Sequence, residues 1–354
     1  MSSTLSQGKL KTSFFFKFGL FILLQTSYAS SFKKVEASAL PFNILDTNNN
    51  GPQKLTKGVV DVGHGGKVPV TPLVLEHALR PPTNLYTADA PHTATVLSVE
   101  KITGENASTE IYHIVFDHGR FLPHWEGQVF GVMPAPKNPF DIGNSSNIRY
   151  FSAASSRYGD TFNGITASLC VSLVVGSTSE VLCKSKPGDK FQFTGPSGEA
   201  MLLGDRNNPK ATHIFIATTT GIAPFRAHLR RFFNEDIPTY KFSGYAWLFY
   251  GVSNNDSVLY RDEFEQYEKN YPENFRYDIA LTSGEEYVQD IVAEYASEVF
   301  ELLMKGAYIY LSGTKKMVTP IETALNNTAS SNGKDWDEIL AMLKMNNQWR
   351  VSVY

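Results

Sequence analysis

Cysteine is almost missing from this chain, whose 354 residues include only Cys170 and Cys183. Two thiols lack the second pair that a zinc site takes, and their apolar neighbours Leu169, Val171 and Leu182 favour two buried free thiols over a disulfide. An excess of one charge is also lacking. With 32 Lys and Arg against 35 Asp and Glu, a net charge of -3 and no dense basic cluster, the chain has no stripe for a nucleic-acid backbone. The apolar stretch from Phe14 to Leu24 is interrupted by Lys17 and is too short for a comfortable membrane span. No repeat occurs. The GxGxxG fingerprint is absent, which weakens an ordinary Rossmann dehydrogenase reading. His64 stands alone among glycines without a partner at ligand spacing, so it reads as a solvated loop residue and no metal site is expected.

What is present describes a folded protein of about two domains. The composition is 42% hydrophobic, 19% charged and 13% aromatic. Residues 1–30 carry Lys9 and Lys11, the apolar stretch, and then small residues Ser27, Ala29 and Ser30, the layout of a signal peptide. The next residues, Ser31-Phe32-Lys33-Lys34, resemble the bipartite presequences of algae with complex plastids, with plain secretion as the alternative. Residues 31–83 include Asn48-Asn49-Asn50-Gly51 and read as a transit or linker segment.

From residue 84 to 205 short β-rich runs follow one another, at 93–99, 111–116, 128–133, 148–152, 168–175 and 190–193. Six such runs without a long amphipathic helix predict an antiparallel β-barrel. From 206 to 354 strand and helix alternate, with strands at 213–217, 246–251, 275–281 and 307–312 and helices at 223–233, 260–270, 288–304 and 318–330. That succession predicts a parallel sheet covered by helices, closed by a last strand at 348–354 with Trp349, Val351 and Val353 on one face.

Three local patterns carry chemistry. Arg149-Tyr150-Phe151-Ser152 offers a guanidinium for a phosphate, aromatic rings to cover a flat cofactor and a hydroxyl near its reactive atoms, although an ordinary strand with a surface arginine reads the same. Gly176-Ser177-Thr178-Ser179 supplies small residues whose amides and hydroxyls can approach a pyrophosphate. Thr218-Thr219-Thr220-Gly221-Ile222-Ala223-Pro224-Phe225-Arg226 follows an apolar strand and enters a helix, an arrangement that suits a nucleotide phosphate.

These residues resemble a known family. The run from Thr220 to Arg226 is similar to the Gly-Thr-Gly-Thr-Gly-Ile-Ala-Pro-Phe-Arg element of plant-type ferredoxin-NADP reductases, and Arg149 to Ser152 to their Arg-x-Tyr-Ser flavin motif. Asn84-Leu85-Tyr86-Thr87, Glu126-Gly127-Gln128, Ser168-Leu169-Cys170-Val171, Trp247 to Val252, and Gln348-Trp349 with the terminal Tyr354 match in family order. The resemblance implies FAD in residues 84–205, NADP or NAD in residues 206–354, and ferredoxin or flavodoxin as electron carrier. It also implies a plastid location, compatible with peripheral attachment to the thylakoid membrane. Carried over by position, Arg149, Tyr150, Phe151, Ser152, Cys170, Val171, Ser177, Thr178 and Ser179 hold FAD. Thr220, Val252, Ser253, Thr282, Ser283, Tyr287, Gln289, Gly313 and Thr314 line the nucleotide site. Tyr354 stacks on the flavin and gates it, and Ser152, Ser312, Ser352 and Tyr354 make the catalytic set. Lys137, Arg149, Lys186, Lys190 and Lys344 are candidates for steering an acidic carrier.

The chain departs from the family at several of these positions. Ser312 replaces a cysteine beside the nicotinamide and Ser352 a glutamate two residues before the terminal tyrosine. A Ser-Arg pair and a nearby lysine that grip the nucleotide 2'-phosphate become Thr282-Ser283 and Glu285, and a lysine after Cys-Val becomes Ser172. A shortened loop after Val175 lacks an adenine-stacking tyrosine. Slow hydride transfer, weaker discrimination against NADH and looser FAD binding are therefore expected. The alternatives to a ferredoxin-NADP reductase are a diaphorase serving another acceptor, and a reductase-derived scaffold without useful turnover.

Overall fold

The computed structural model describes residues 66–134 and 148–354, all within one compact unit. After a two-residue strand β1 (Val68–Pro69), the first half contains β2 (His92–Lys101), β3 (Ile111–Asp117), β4 (Val129–Pro134), β5 (Arg149–Ser152), β6 (Thr166–Ser172), a short helix α1 (Thr178–Cys183) and β7 (Lys190–Ser197). These form one antiparallel sheet in the order β5-β4-β7-β2-β3-β6. The ladder is open, yet its two end strands meet: Ala153 bridges Leu169, and the Ala154 N–H donates to the Ser168 carbonyl at 2.8 Å. The sheet therefore curls around a core of Val96, Ile114, Phe116, Phe130, Leu169 and Phe193.

The second half runs β8 (Thr212–Thr218), α2 (Ala223–Phe233), a short β9 (Glu235–Asp236), β10 (Tyr245–Val252), α3 (Arg261–Asn270) and β11 (Phe275–Leu281). It continues with α4 (Val288–Glu294), α5 (Ala296–Met304), β12 (Tyr308–Gly313), α6 (Val318–Ser331), α7 (Trp336–Met345) and β13 (Trp349–Val353). The sheet order is β11-β10-β8-β12-β13, every pair parallel. Buried on both faces, β8 reads His213 to Ala217 without a polar alternation, as a central parallel strand must. One face is covered by α4 to α7. The other carries α2 and α3 in a cluster that also contains Ile111, Ala154, Tyr158 and Cys170 of the antiparallel half.

The layer between the two sheets is also ionic. Arg226 on α2, 1% exposed, donates to Glu263 Oε2 on α3 at 3.0 Å, to Asp160 Oδ1 at 3.0 Å and to the Ala154 carbonyl at 2.9 Å. A second buried group joins Glu76 to Arg231, and Arg157 to Glu126. Glu76 belongs to the segment read as linker. Val68–Pro69 pairs with Glu235–Asp236, and Arg206 donates to the carbonyls of Ala78 and Leu79. The part of that segment from Lys67 to Leu79 is thus packed on the body by main-chain pairing and charge, which its Gly- and Pro-rich composition does not reveal.

Burial pushes His118 and His213 down to about 3 and His228 to about 4, so these imidazoles are neutral inside the fold. Unfolded, they titrate near ~6.5. Their contribution is complete above that pH and is lost as pH falls toward the folded values. Glu235 acts oppositely: burial raises its carboxyl to about 7 against the hydrogen bond from Ser156, so the folded state holds an extra proton below that pH. Three imidazoles outweigh one carboxyl, and unfolding at pH 5 takes up about two protons net from these groups. The urea midpoint should therefore be lower at pH 5 than at pH 7, and Glu235→Gln should enlarge the drop. Equal midpoints would contradict the burial of these side chains.

Candidate functional site

The order of the parallel sheet reverses at β8: β10 and β11 lie on one side and β12 and β13 on the other. Ligands of such sheets bind at the carboxyl ends of the strands where the order reverses. There the loops after β8 and β12 touch, since the Thr314 N–H donates to Thr218 Oγ1 at 2.8 Å. Two glycines permit this approach. A Cβ on Gly221 would stand 2.2 Å from the Ser312 carbonyl oxygen, and one on Gly313, at φ +131°, would stand 2.1 Å from Thr218 Oγ1.

The carboxy-terminus closes over this junction. The Tyr354 N–H donates to the Gly313 carbonyl at 3.0 Å, and the Lys315 N–H donates to the Tyr354 carbonyl at 3.1 Å, so its backbone is pinned. Tyr354 as a whole is 72% exposed, and its hydroxyl lies 3.0 Å from Thr220 Oγ1. Ser312 pairs in register with Ala217 on one side and Ser352 on the other. Cα partners in a ladder present their side chains to one face, so the two serines are neighbours beside Tyr354. Ser312 is 5% exposed and Ser352 is exposed.

The facing edge of the antiparallel sheet carries Arg149 to Ser152 on β5 and Cys170 on β6, and β6 packs against the turn after β8. Arg149 is exposed and bonds only the Ile148 carbonyl among the described residues, at 3.3 Å. Tyr150 is 66% exposed, while Phe151 and Ser152 are half-buried. Burial pushes the Cys170 thiol up to about 12, which leaves it protonated and unreactive. The Val171 side chain lies in the core of the antiparallel sheet, leaving only its main chain for a ligand. Both cysteines are free and buried.

The other expected residues stand further out. Ser177 caps α1, and its hydroxyl bonds the Val174 carbonyl at 2.7 Å and Ser179 Oγ at 2.8 Å; Thr178 is buried. Val252 is buried at the end of β10. Ser253 accepts from the Ser283 N–H at 2.8 Å and from Thr282 Oγ1 at 3.4 Å, which ties the loops after β10 and β11 together. Residues 283–287 are all exposed, and Glu285 has φ +62°. The Tyr287 N–H is held by Asp290, and Gln289 is half-buried. No lysine or arginine occurs from 282 to 290. Of the steering candidates, Arg149, Lys186, Lys190 and Lys344 are exposed, and Lys137 lies outside the described residues. Sequence reasoning missed Tyr250, whose buried ring sends its hydroxyl to the Thr219 carbonyl at 2.9 Å. Nothing local marks it, because the contact spans two strands.

The residues present fit a flat aromatic cofactor. Tyr150 and Tyr354 are the two most exposed aromatic side chains among the described residues, and such rings are normally covered. Arg149, next to Tyr150 on β5, is an exposed cation suited to a phosphate. An Arg-aromatic edge set against the switch point of a parallel sheet defines a two-sheet oxidoreductase that joins a flavin to a dinucleotide. The model of the oxidoreductase NAD-binding domain matches residues 215–323. A chloroplastic ferredoxin-NADP reductase of Oryza sativa, the embryo isozyme, is 50% identical over 309 residues, covering 81% of this chain and 82% of that protein. The chloroplastic enzyme of Chlamydomonas reinhardtii is 43% identical over 296 residues, 77% of this chain and 83% of that one. The structure of the Plasmodium falciparum ferredoxin-NADP+ reductase with 2'P-AMP aligns at TM-score 0.64 and 25% identity, over 77% of this chain and 99% of that one. The chain belongs to the ferredoxin-NADP reductase family.

Proposed function

We propose that this chain is a plastid flavoenzyme that passes electrons between ferredoxin and NADP, with residues 84–205 holding FAD and residues 206–354 the nucleotide. FAD, when bound, exchanges hydride with nicotinamide and single electrons with the iron-sulfur carrier. The chain's own residues do the rest. Arg149 would pair with a cofactor phosphate, Tyr150 and Tyr354 would cover its ring, and Ser152 would offer it a hydroxyl. Nicotinamide can reach the ring only if Tyr354 moves, and its hydroxyl is held at the turn after β8 by Thr220 Oγ1 and the Gly221 backbone. That exposed ring, on a pinned backbone and held through its hydroxyl alone, is the observation that best supports a gate. The chloroplast destination is that of the relatives; the leader itself lies outside the described residues. No helix of the described residues is long and apolar enough to cross a membrane.

The test is direct. Purified protein should be yellow, should bleach on adding NADPH anaerobically, and should pass electrons to ferredoxin. A colourless protein that takes up no FAD would refute the reading.

Nucleotide choice should be less strict than a cationic clamp would make it. In place of such a clamp the exposed loop after β11 carries Ser283, Glu285 and Glu286. Ser283→Arg adds one charge-assisted pair to a 2'-phosphate and should raise the NADPH to NADH ratio of kcat/KM about 20-fold. A wild-type chain that already rejects NADH strongly would show that another cation does this work.

A further inference from the structure

Three successive threonines form the turn between β8 and α2, and two of their hydroxyls are committed to the protein. Thr218 Oγ1 accepts from the Thr314 N–H at 2.8 Å, and Thr220 Oγ1 meets the Tyr354 hydroxyl at 3.0 Å. The middle one differs. Thr219 is exposed, and its side chain makes no hydrogen bond among the described residues. Its backbone sits at φ +49°, in the left-handed region that a β-branched residue enters only at a steric cost. Glycine would occupy the same conformation freely.

The surroundings hold this conformation from several sides. Tyr250 bonds the Thr219 carbonyl, Thr218 is clamped to the β12 loop and Thr220 to the carboxy-terminus. Strained residues persist where neighbours over-determine them, and they concentrate at ligand sites. Protein packing gives no reason for a threonine here, because the side chain faces outward. The place supplies one: Thr219 opens the turn at the switch point of the sheet, inside the matched NAD-binding segment.

We propose that Thr219 is a further nucleotide-binding residue, whose hydroxyl donates to a phosphate oxygen of the dinucleotide's pyrophosphate. The inference rests on the reductase reading of the site. The Thr219 hydroxyl makes none of the hydrogen bonds among the described residues, whereas those of Thr218 and Thr220 fix the shape of the turn.

The test is calorimetric titration of the FAD-loaded protein with NADP+, using Thr219→Ser, Thr219→Val and Thr219→Gly. Loss of one hydrogen bond to a charged oxygen should weaken Thr219→Val about tenfold, while Thr219→Ser, which keeps the hydroxyl, stays within about twofold of wild type. Thr219→Gly should also bind more weakly, despite its relaxed backbone. Wild-type affinity in Thr219→Val overturns the proposal. So does tighter binding in Thr219→Gly, which would mean that the side chain obstructs the cleft. A wild-type protein that takes up FAD but not NADP+ removes the reductase reading together with this one, so the two failures are told apart.

Discussion

Ser352→Glu should accelerate flavin reduction by NADPH about 100-fold, the lower end of what a positioned acid-base group contributes. Ser352 on β13 and Ser312 on β12 are register partners at the carboxyl ends of their strands, two residues from the aromatic cap. Neither hydroxyl ionises at neutral pH, so this corner offers hydrogen bonds but no charge. A carboxylate at the exposed position 352 would be ionised and would stand beside the Ser312 hydroxyl, where the proposed function brings nicotinamide once Tyr354 moves. It could orient the nicotinamide amide and take part in proton delivery, both of which lower the barrier. Stopped-flow bleaching under anaerobic conditions reads the rate, with Ser352→Gln as the uncharged control. If Ser352→Glu reduces no faster than wild type, or wild type already reduces rapidly, the serines are not what limits this enzyme.

Arg226→Ala should destabilise the fold by about 3 kcal/mol, the lower end of the usual cost of breaking a buried ion pair, because Arg230 stays near both of its partners. Asp160 and Glu263 both lie against this guanidinium, which holds the Asp160 carboxyl well below its ordinary range despite burial. Removing it leaves the two buried carboxylates with only the longer contacts to Arg230, at 3.8 and 3.6 Å, and those of Asp160 to His113 and Glu263 to Tyr267. The denaturant midpoint should fall with little change in the slope. Because Arg226 also bonds the Ala154 carbonyl, two residues past Ser152, it ties the end of β5 to helix α2. Arg226→Lys keeps the charge but loses the planar fork, and should fall between the two. A loss under about 1 kcal/mol for Arg226→Ala would place the arginine in solvent rather than in this layer.

Several elements were legible from the chain alone, and for local reasons. Helix α2 and strand β11 begin and end where apolar periodicity, Pro224 and flanking polar residues place them. Elsewhere local pattern overreached. The strand expected at 168–175 stops at Ser172, because Val174 turns its N–H to Ser179 and the chain enters α1. The helix expected at 288–304 is two helices joined at Tyr295. Helix α7 has no counterpart among the expected elements, although Trp336, Ile339 and Leu343 are spaced for one buried face and Asp335 caps it.

Sequence by itself determined the family, the order of the two sheets and the short list of polar residues at their edges, because these follow from motifs and periodicities read over a few positions. Tertiary structure alone decided which of those residues meet. It put Val171 in a core, turned Ser177 and Ser179 toward each other, and sent Arg226 into a buried ionic layer. It also set Ser312 against Ser352 and forced Thr219 into a left-handed turn. Each of these depends on contacts between segments far apart in the chain, and no local propensity encodes which distant backbone or charge will arrive.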